Sequence, residues 1–159
     1  METKRHLIVF CGMMKSGNHA IVKWVFENVL RNLLPEKMIQ DRKLMYNENA
    51  KIGNLIAFYN DVTRNPPPPN YMTPCRVTMV SLEEEYCDAQ NLSIVKDNKW
   101  DTINTVFIFR DLKNMIASRK NSKEYSERFF GNTERMCNLW KKMREDYVRE
   151  KCRNPDNTF

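Results

Sequence analysis

Residues 7–24 read LIVFCGMMKSGNHAIVKW, and this stretch decides the fold. It opens with five apolar residues, Leu7 to Cys11, a run that predicts a short buried strand. A loop bounded by Gly12 and Gly17 follows, and after it the apolar residues return at helical spacing. Strand, glycine-bounded loop and helix in succession favour a phosphate-binding loop, because the loop presents backbone N–H groups and the helix presents the positive end of its dipole.

The spacing of the two glycines matches the first half of the Walker A pattern. The second half does not match, because Asn18 and His19 follow Gly17 and the lysine stands inside the loop, at Lys15. The missing Ser/Thr hydroxyl is the group that would hold magnesium in an ATP- or GTP-using enzyme. The sequence therefore argues against metal-dependent phosphoryl transfer, and an ordinary strand-to-helix turn with an exposed lysine remains the non-functional alternative.

A second apolar run, TVFIF at residues 105–109, ends in Arg110 and Asp111. Asp111 can cap a following helix, in which Ser118 lies eight residues after Arg110. An arginine suits a phosphate because its guanidinium group donates two parallel hydrogen bonds. Taken alone, these residues are better explained by an ion pair between Arg110 and Asp111 at the strand end and a serine on the surface.

Together the two motifs resemble those of the PAPS-dependent sulfotransferases, most closely a soluble microbial or viral branch. The family's loop reads Pro-Lys-Ser-Gly-Thr-Thr-Trp, and the matching residues here are Lys15, Ser16 and Gly17. The positions that depart from it are Met14, Asn18, His19 and Ala20. In the family, a strand-end arginine and a serine eight residues later contact the 3′-phosphate, and Arg110 and Ser118 have that spacing. The resemblance covers the first loop and helix and residues 92–121.

The resemblance implies an α/β fold, a P-loop three-layer sandwich around a small, largely parallel sheet, in one minimal domain over residues 1–159. It implies PAPS as the sulfuryl donor, PAP as the product, no metal, and an acceptor hydroxyl or amine that the sequence does not identify. The residues implied to bind the nucleotide are Lys15, Ser16, Gly17, Asn18, His19, Arg110 and Ser118.

The resemblance also implies a catalytic set. Lys15 would neutralise charge on the leaving phosphate. Cytosolic relatives carry their base in a Lys-Thr-His segment before the arginine strand, where this chain has Lys96, Asp97 and Asn98. Lys96 would then contact the sulfuryl group and Asp97 would act as the base. Golgi-type relatives use a later glutamate instead, a place that could be filled by Glu36, Asp41 or Glu48.

The family's later Arg-Lys-Gly-type segment, which closes over the nucleotide, has no counterpart in this sequence. Its absence favours the second hypothesis, a non-catalytic protein that binds PAP or another nucleotide. A P-loop nucleotide kinase is the third.

The net charge of +6 suits an anionic ligand, but the charges are spread along the chain, so a solvated surface is favoured over a nucleic-acid patch. The chain has 5 cysteines, an odd number, and their spacing does not match that of a zinc site. Both facts predict reduced thiols in a cytoplasmic protein. The first apolar run begins too early for a signal peptide to precede it, and no run is long enough to span a bilayer.

The rest of the chain is less clear. Spacing predicts a short amphipathic helix over residues 52–59, a strand over 76–81, a short strand over 92–95 and a long helix ending near Val148. Trp24 is expected in the core. So is the apolar stripe of the long helix, namely Met136, Leu139, Trp140, Met143 and Tyr147. The polar tail, residues 152–159, is expected to be frayed.

Overall fold

The structure is a computed structural model that describes residues 4–13, 18–33, 49–52, 54–60, 62, 75–83, 99–120 and 133–159. The strands are β1 (His6–Gly12), β2 (Asn49–Ile52), β3 (Ile56–Tyr59), β4 (Val77–Glu83) and β5 (Thr102–Ile108). The helices are α1 (Asn18–Leu33), α2 (Leu112–Lys120) and α3 (Thr133–Arg153). The chain is thus an α/β protein.

The five strands form one sheet in the order β2-β3-β4-β1-β5. β1 pairs in parallel with β4 on one side and with β5 on the other, along its whole length. β3 is parallel to β4, and only β2 runs antiparallel to its neighbour. The predicted small, largely parallel sheet is confirmed at this level, and β1 and β5 coincide with the two strongest apolar runs of the sequence.

Both faces of the sheet are covered by helices, which explains why its inner strands are apolar without alternation. On one face, Val22 and Phe26 of α1 pack against Phe10, Phe58 and Met79. On the other face, Met115 of α2 and Met143 of α3 pack against alternate β1 residues, Leu7, Val9 and Cys11. Side chains of β1 therefore belong to two separate cores.

The prediction of a helix over residues 52–59 is wrong. These residues belong to an antiparallel hairpin of β2 and β3, whose turn includes Asn54 and Leu55. A spacing of three, four and seven residues cannot by itself distinguish a short helix from two short strands. All four residues of β3 are buried, since β3 pairs with β4 inside the sheet.

Trp24 was expected in the core and is instead 65% exposed. It lies two residues from the buried Val22, a separation of about 200° around a helix, so it occupies the face of α1 opposite the sheet. The predicted strand at 76–81 is confirmed as β4, whereas the predicted strand at 92–95 lies outside the described residues.

The tail is not frayed. α3 continues to Arg153, five residues past the predicted end, and residues 157–159 add to the free edge of β5. Thr105 N donates to Asn157 O at 2.8 Å, and Phe159 N donates to Thr105 O at 2.9 Å. Thr158 is fully buried, and its hydroxyl donates to Asn154 O. Backbone pairing to a strand edge outweighs the polar composition of this segment.

The predicted apolar stripe of α3 is confirmed as core, but the same face also buries Asp146. One carboxylate oxygen, Oδ1, accepts a hydrogen bond of 3.1 Å from Arg149, while Oδ2 is buried and has no partner. Burial raises the pKa of Asp146, and the nearby cations Arg149 and Lys142 only partly oppose that shift. Burial at this position therefore disfavours the charged form of the carboxyl group relative to water.

Replacing Asp146 with asparagine is therefore expected to stabilise the protein at pH 7. Because the native pKa is raised, the native state favours the protonated acid, and stability is lost as the pH rises through that pKa. Asp146→Asn should raise the free energy of unfolding by about 1 kcal/mol at pH 7, and the gain should shrink as the pH is lowered towards 4. Urea unfolding at several pH values measures it. Asp156→Asn, at an exposed position, is the matched control, and an equal gain there would contradict the account.

Candidate functional site

The carboxyl ends of β1, β3, β4 and β5 lie at one edge of the sheet, because these four strands are parallel. At this edge Gly12, the last residue of β1, is in register with Ile108 of β5 and with Glu83 of β4. The loop that follows Gly12 and the segment that begins at Phe109 therefore leave the sheet side by side. The strand ends that precede the two sequence motifs, Gly12 and Ile108, are therefore neighbours in the sheet.

The helices that follow β1 and β5 diverge from there. α1 packs on one face of the sheet and α2 on the other. In an open α/β sheet, two neighbouring strands whose connections leave to opposite faces create a crevice at their carboxyl ends, and ligands bind there. The β1–β5 pair meets this condition, so we call the space outside Gly12 and Ile108 the β1–β5 crevice.

On the β1 side of the crevice, Gly12 and Met13 are buried and α1 begins at Asn18. The predicted residues Lys15, Ser16 and Gly17 lie outside the described residues. Asn18 and His19 form the first turn of α1, and His19 is exposed. The start of a helix carries the positive end of the helix dipole, which favours an anion on this side of the crevice.

On the β5 side, Arg110 is exposed and precedes α2 directly. Asp111 caps the helix as the sequence predicts: its Oδ1 accepts a hydrogen bond of 3.0 Å from Asn114 N, and its carbonyl oxygen accepts one from Met115 N. The carboxylate of Asp111 is thus engaged with the helix start.

A residue of α3 contacts the backbone of Arg110. The indole Nε1 of Trp140 donates to Arg110 O at 3.2 Å. The preceding residue, Phe109, has its ring centroid 5.8 Å from that of Tyr147, which also packs edge-on against Phe107 at 5.5 Å. These aromatic contacts fix the point at which the chain leaves β5. Trp140 therefore positions the backbone of Arg110. The sequence periodicity predicted only that Trp140 packs in the core.

Ser118 lies farther from the crevice than Arg110 does. It is half-buried in α2, seven residues after the cap, which corresponds to an axial rise of about 10 Å. A phosphate that contacts both residues therefore requires the Arg110 side chain to extend along the helix.

The structure adds polar residues at this edge that the sequence motifs did not indicate. Ser81 of β4 donates a hydrogen bond of 2.6 Å to Asn60, just beyond β3. Tyr59, the residue before Asn60, is buried in the core that contains Leu7 and Val80, and this burial, reinforced by Cys75, raises the pKa of its phenol. The backbone of Glu83 is in register with Gly12, at the start of the predicted phosphate loop. The acidic run 83–85 is visible in the sequence, but only the strand order shows that it begins next to this loop.

The predicted catalytic residues Lys96 and Asp97 lie outside the described residues, as do the alternative bases Glu36, Asp41 and Glu48. Within the ranges that the structure describes, no three His, Cys, Asp or Glu side chains are grouped as a metal site. None of the described helices combines the length and apolar character needed to cross a membrane.

The chain was compared with models of protein families, with curated proteins and with solved structures, and none of the three comparisons found a match.

Proposed function

We propose that this protein is a sulfotransferase, which moves a sulfuryl group from PAPS to a hydroxyl or amine of an acceptor. The observation that supports the proposal is the parallel register of Gly12 with Ile108. The register puts Gly12, three residues before Lys15 in the sequence, and the strand that ends before Arg110 at the same edge of the sheet, on adjacent strands whose helices leave to opposite faces. Two motifs that are weak separately become one candidate site.

The charge pattern of the crevice suits a nucleotide that carries two separate phosphate groups. One anion-binding position is the start of α1, with its N–H groups and helix dipole. The other is the exposed guanidinium group of Arg110. PAPS carries a 5′-phosphosulfate and a 3′-phosphate, so the first position would hold the former and the second the latter.

The chemistry is an in-line displacement at sulfur. A bond forms between the acceptor oxygen or nitrogen and sulfur, the bond between sulfur and the bridging oxygen breaks, and PAP leaves with the electron pair. As in phosphoryl transfer, the protein contributes mainly positioning and charge stabilisation. Lys15 would neutralise the charge that develops on the leaving phosphate, and Asn18 and His19 would offer backbone N–H groups to it.

The acceptor proton needs a base. Asp97, with Lys96 beside it, is the base that the resemblance implies. Glu83 is a second candidate, because it ends the strand adjacent to β1 and its backbone pairs with Gly12, three residues before Lys15. A carboxylate is a suitable base here provided that it reaches the acceptor hydroxyl.

Nucleotide binding tests the proposal first. PAP titrated calorimetrically without metal is expected to bind, and Lys15→Ala and Arg110→Ala should each weaken binding about tenfold or more, since a charge-assisted contact to phosphate contributes roughly 1.5–3 kcal/mol. Lys23→Ala is the matched control. Its ammonium group lies on the same helix as His19 but faces Glu27 at 3.9 Å, and its removal should leave PAP affinity unchanged.

Magnesium separates the alternatives. ATP binding that requires magnesium, with no PAP binding, would contradict the proposal in favour of a nucleotide kinase. PAP binding without turnover on a broad acceptor screen would favour a non-catalytic nucleotide-binding protein.

Glu83→Gln tests the base. If Glu83 removes the acceptor proton, this isosteric change should lower kcat by about a hundredfold or more, the usual contribution of general-base catalysis, and leave PAP affinity within about twofold. The measurement is PAP release from PAPS with the first acceptor that a screen identifies. Asp97→Asn is assayed in parallel. Full activity in Glu83→Gln together with loss of activity in Asp97→Asn would assign the role to Asp97.

A further inference from the structure

A shallow surface groove runs along α3, on the side of that helix that faces solvent. Its volume is about 480 Å³, and the residues that line it are Trp140, Lys141, Arg144, Glu145, Val148 and Arg149. We call it the α3 groove. It is separate from the residues that the proposed nucleotide site uses, although Trp140 borders both.

The floor of the α3 groove is apolar. Val148 is 58% exposed, and the partly buried indole of Trp140 lies two turns earlier on the helix. Val148 lies on the exposed side of α3, and Trp140 lies at the border of the side that buries Met136 and Met143. The apolar part of the groove is limited to Val148 and the edge of Trp140, and charged side chains make up the rest of its lining.

The rim of the α3 groove is mainly cationic. The guanidinium carbon of Arg144 lies 4.9 Å from the centroid of the Trp140 ring, a cation–π contact that keeps its charge at the groove. Lys141 is exposed beside it, and Arg149 keeps 63% of its side chain exposed while it contacts Asp146. Glu145 is the single carboxylate among the lining residues.

We propose that the α3 groove binds a peptide segment of a partner protein that combines acidic residues with apolar anchors. Carboxylates of such a segment would pair with Lys141 and Arg144, and an apolar side chain would cover Val148 and the edge of Trp140. This inference does not depend on the proposed activity.

A nucleic acid fits the same surface less well. Its backbone carries closely spaced phosphates, and binding depends on neutralising several of them in sequence. Glu145 stands among the three cations and would repel a phosphate, whereas a peptide can place an uncharged or basic residue there. The exposed Val148 likewise has a natural partner in a peptide side chain.

The dimensions also fit a peptide. From residue 140 to residue 149 the helix rises by about 13.5 Å, the length of about nine residues of a second helix. Rows of residues four apart form the ridges along which one helix packs against another, and Trp140, Arg144 and Val148 form such a row on α3. The partner segment would therefore be an amphipathic helix of two to three turns.

The test uses a defined probe, a fluorescent twelve-residue helical peptide with one leucine stripe flanked by glutamates, and measures anisotropy against the whole chain. The wild-type protein should bind it, with affinity that falls as salt rises. The double variant K141E/R144E should bind at least about tenfold more weakly, since reversing two exposed charges changes the interaction by roughly 1.4 kcal/mol or more. Val148→Ser should also weaken binding severalfold by removing the apolar anchor.

Lys142→Glu is the matched control, because Lys142 is the next residue along the helix, is equally exposed and lines a different depression with Leu139 and Arg135. It should bind the probe within about twofold of the wild-type protein. Equal weakening by Lys142→Glu would show that net charge alone governs binding and would overturn the proposal. So would the absence of any binding by the wild-type protein, or tighter binding of a twelve-residue oligothymidylate, which would assign the groove to nucleic acid. Arg144→Lys keeps the charge and should retain most of the affinity.

Discussion

β1 is hydrogen-bonded to a parallel strand on both sides, and its side chains enter a helix-covered core on each face of the sheet. A strand held in this way cannot shift its register without moving the apolar set of both cores to the wrong faces. Its last residue, Gly12, is therefore at a fixed position relative to Glu83 and Ile108. The whole candidate site follows from this constraint, because the predicted phosphate loop, the acidic run and Arg110 all start from those three strand ends.

α3 secures the other half of the site. Its Trp140 donates a hydrogen bond to the Arg110 carbonyl, and its Tyr147 packs on Phe107 and Phe109. The end of α3 is itself tied down, since the segment after it pairs with β5 and Lys151 donates to Thr158 O at 2.9 Å. The helix and the segment after it thus hold β5 from Thr105 to the residues just past its carboxyl end, while the outer face of α3 carries the α3 groove. The buried Asp146 is the one described side chain on this helix with an unsatisfied buried oxygen.

The sequence predicts an element of the fold when the residues that determine it are close together in the chain. β1 and β5 are predictable because strands buried on both faces are continuous apolar runs, and the start of α2 is predictable because Asp111 is a good cap. The β2–β3 hairpin was missed because its residues also match a helical spacing. Trp24 was misassigned because composition does not show which face of a helix packs. The position of Glu83 beside Gly12 depends on the strand order, which brings together residues 71 positions apart. The pairing of the tail with β5 is also a contact between distant segments. Neither segment of such a pair shows the contact in its own sequence.

The same distinction applies to the function. The Lys-Ser-Gly loop and the Arg110–Ser118 spacing are local patterns, and each alone has an ordinary structural explanation. What the structure adds is a property of the sheet: the strands that precede the two patterns, β1 and β5, are neighbours although some 90 residues of chain separate them. The polar pair Ser81 and Asn60 and the strand-end Glu83 extend this edge of the sheet towards β3 and β4.

The central claim is that the carboxyl ends of β1 and β5 form one anion-binding crevice. Hydrogen exchange measured by mass spectrometry, with and without PAP, tests it most directly because it reports on each segment separately. The account predicts that PAP slows exchange together in peptides covering residues 10–20 and 108–116, and leaves the exposed end of α1 unchanged. Protection of only one of these segments, or protection confined to another part of the chain, would contradict it.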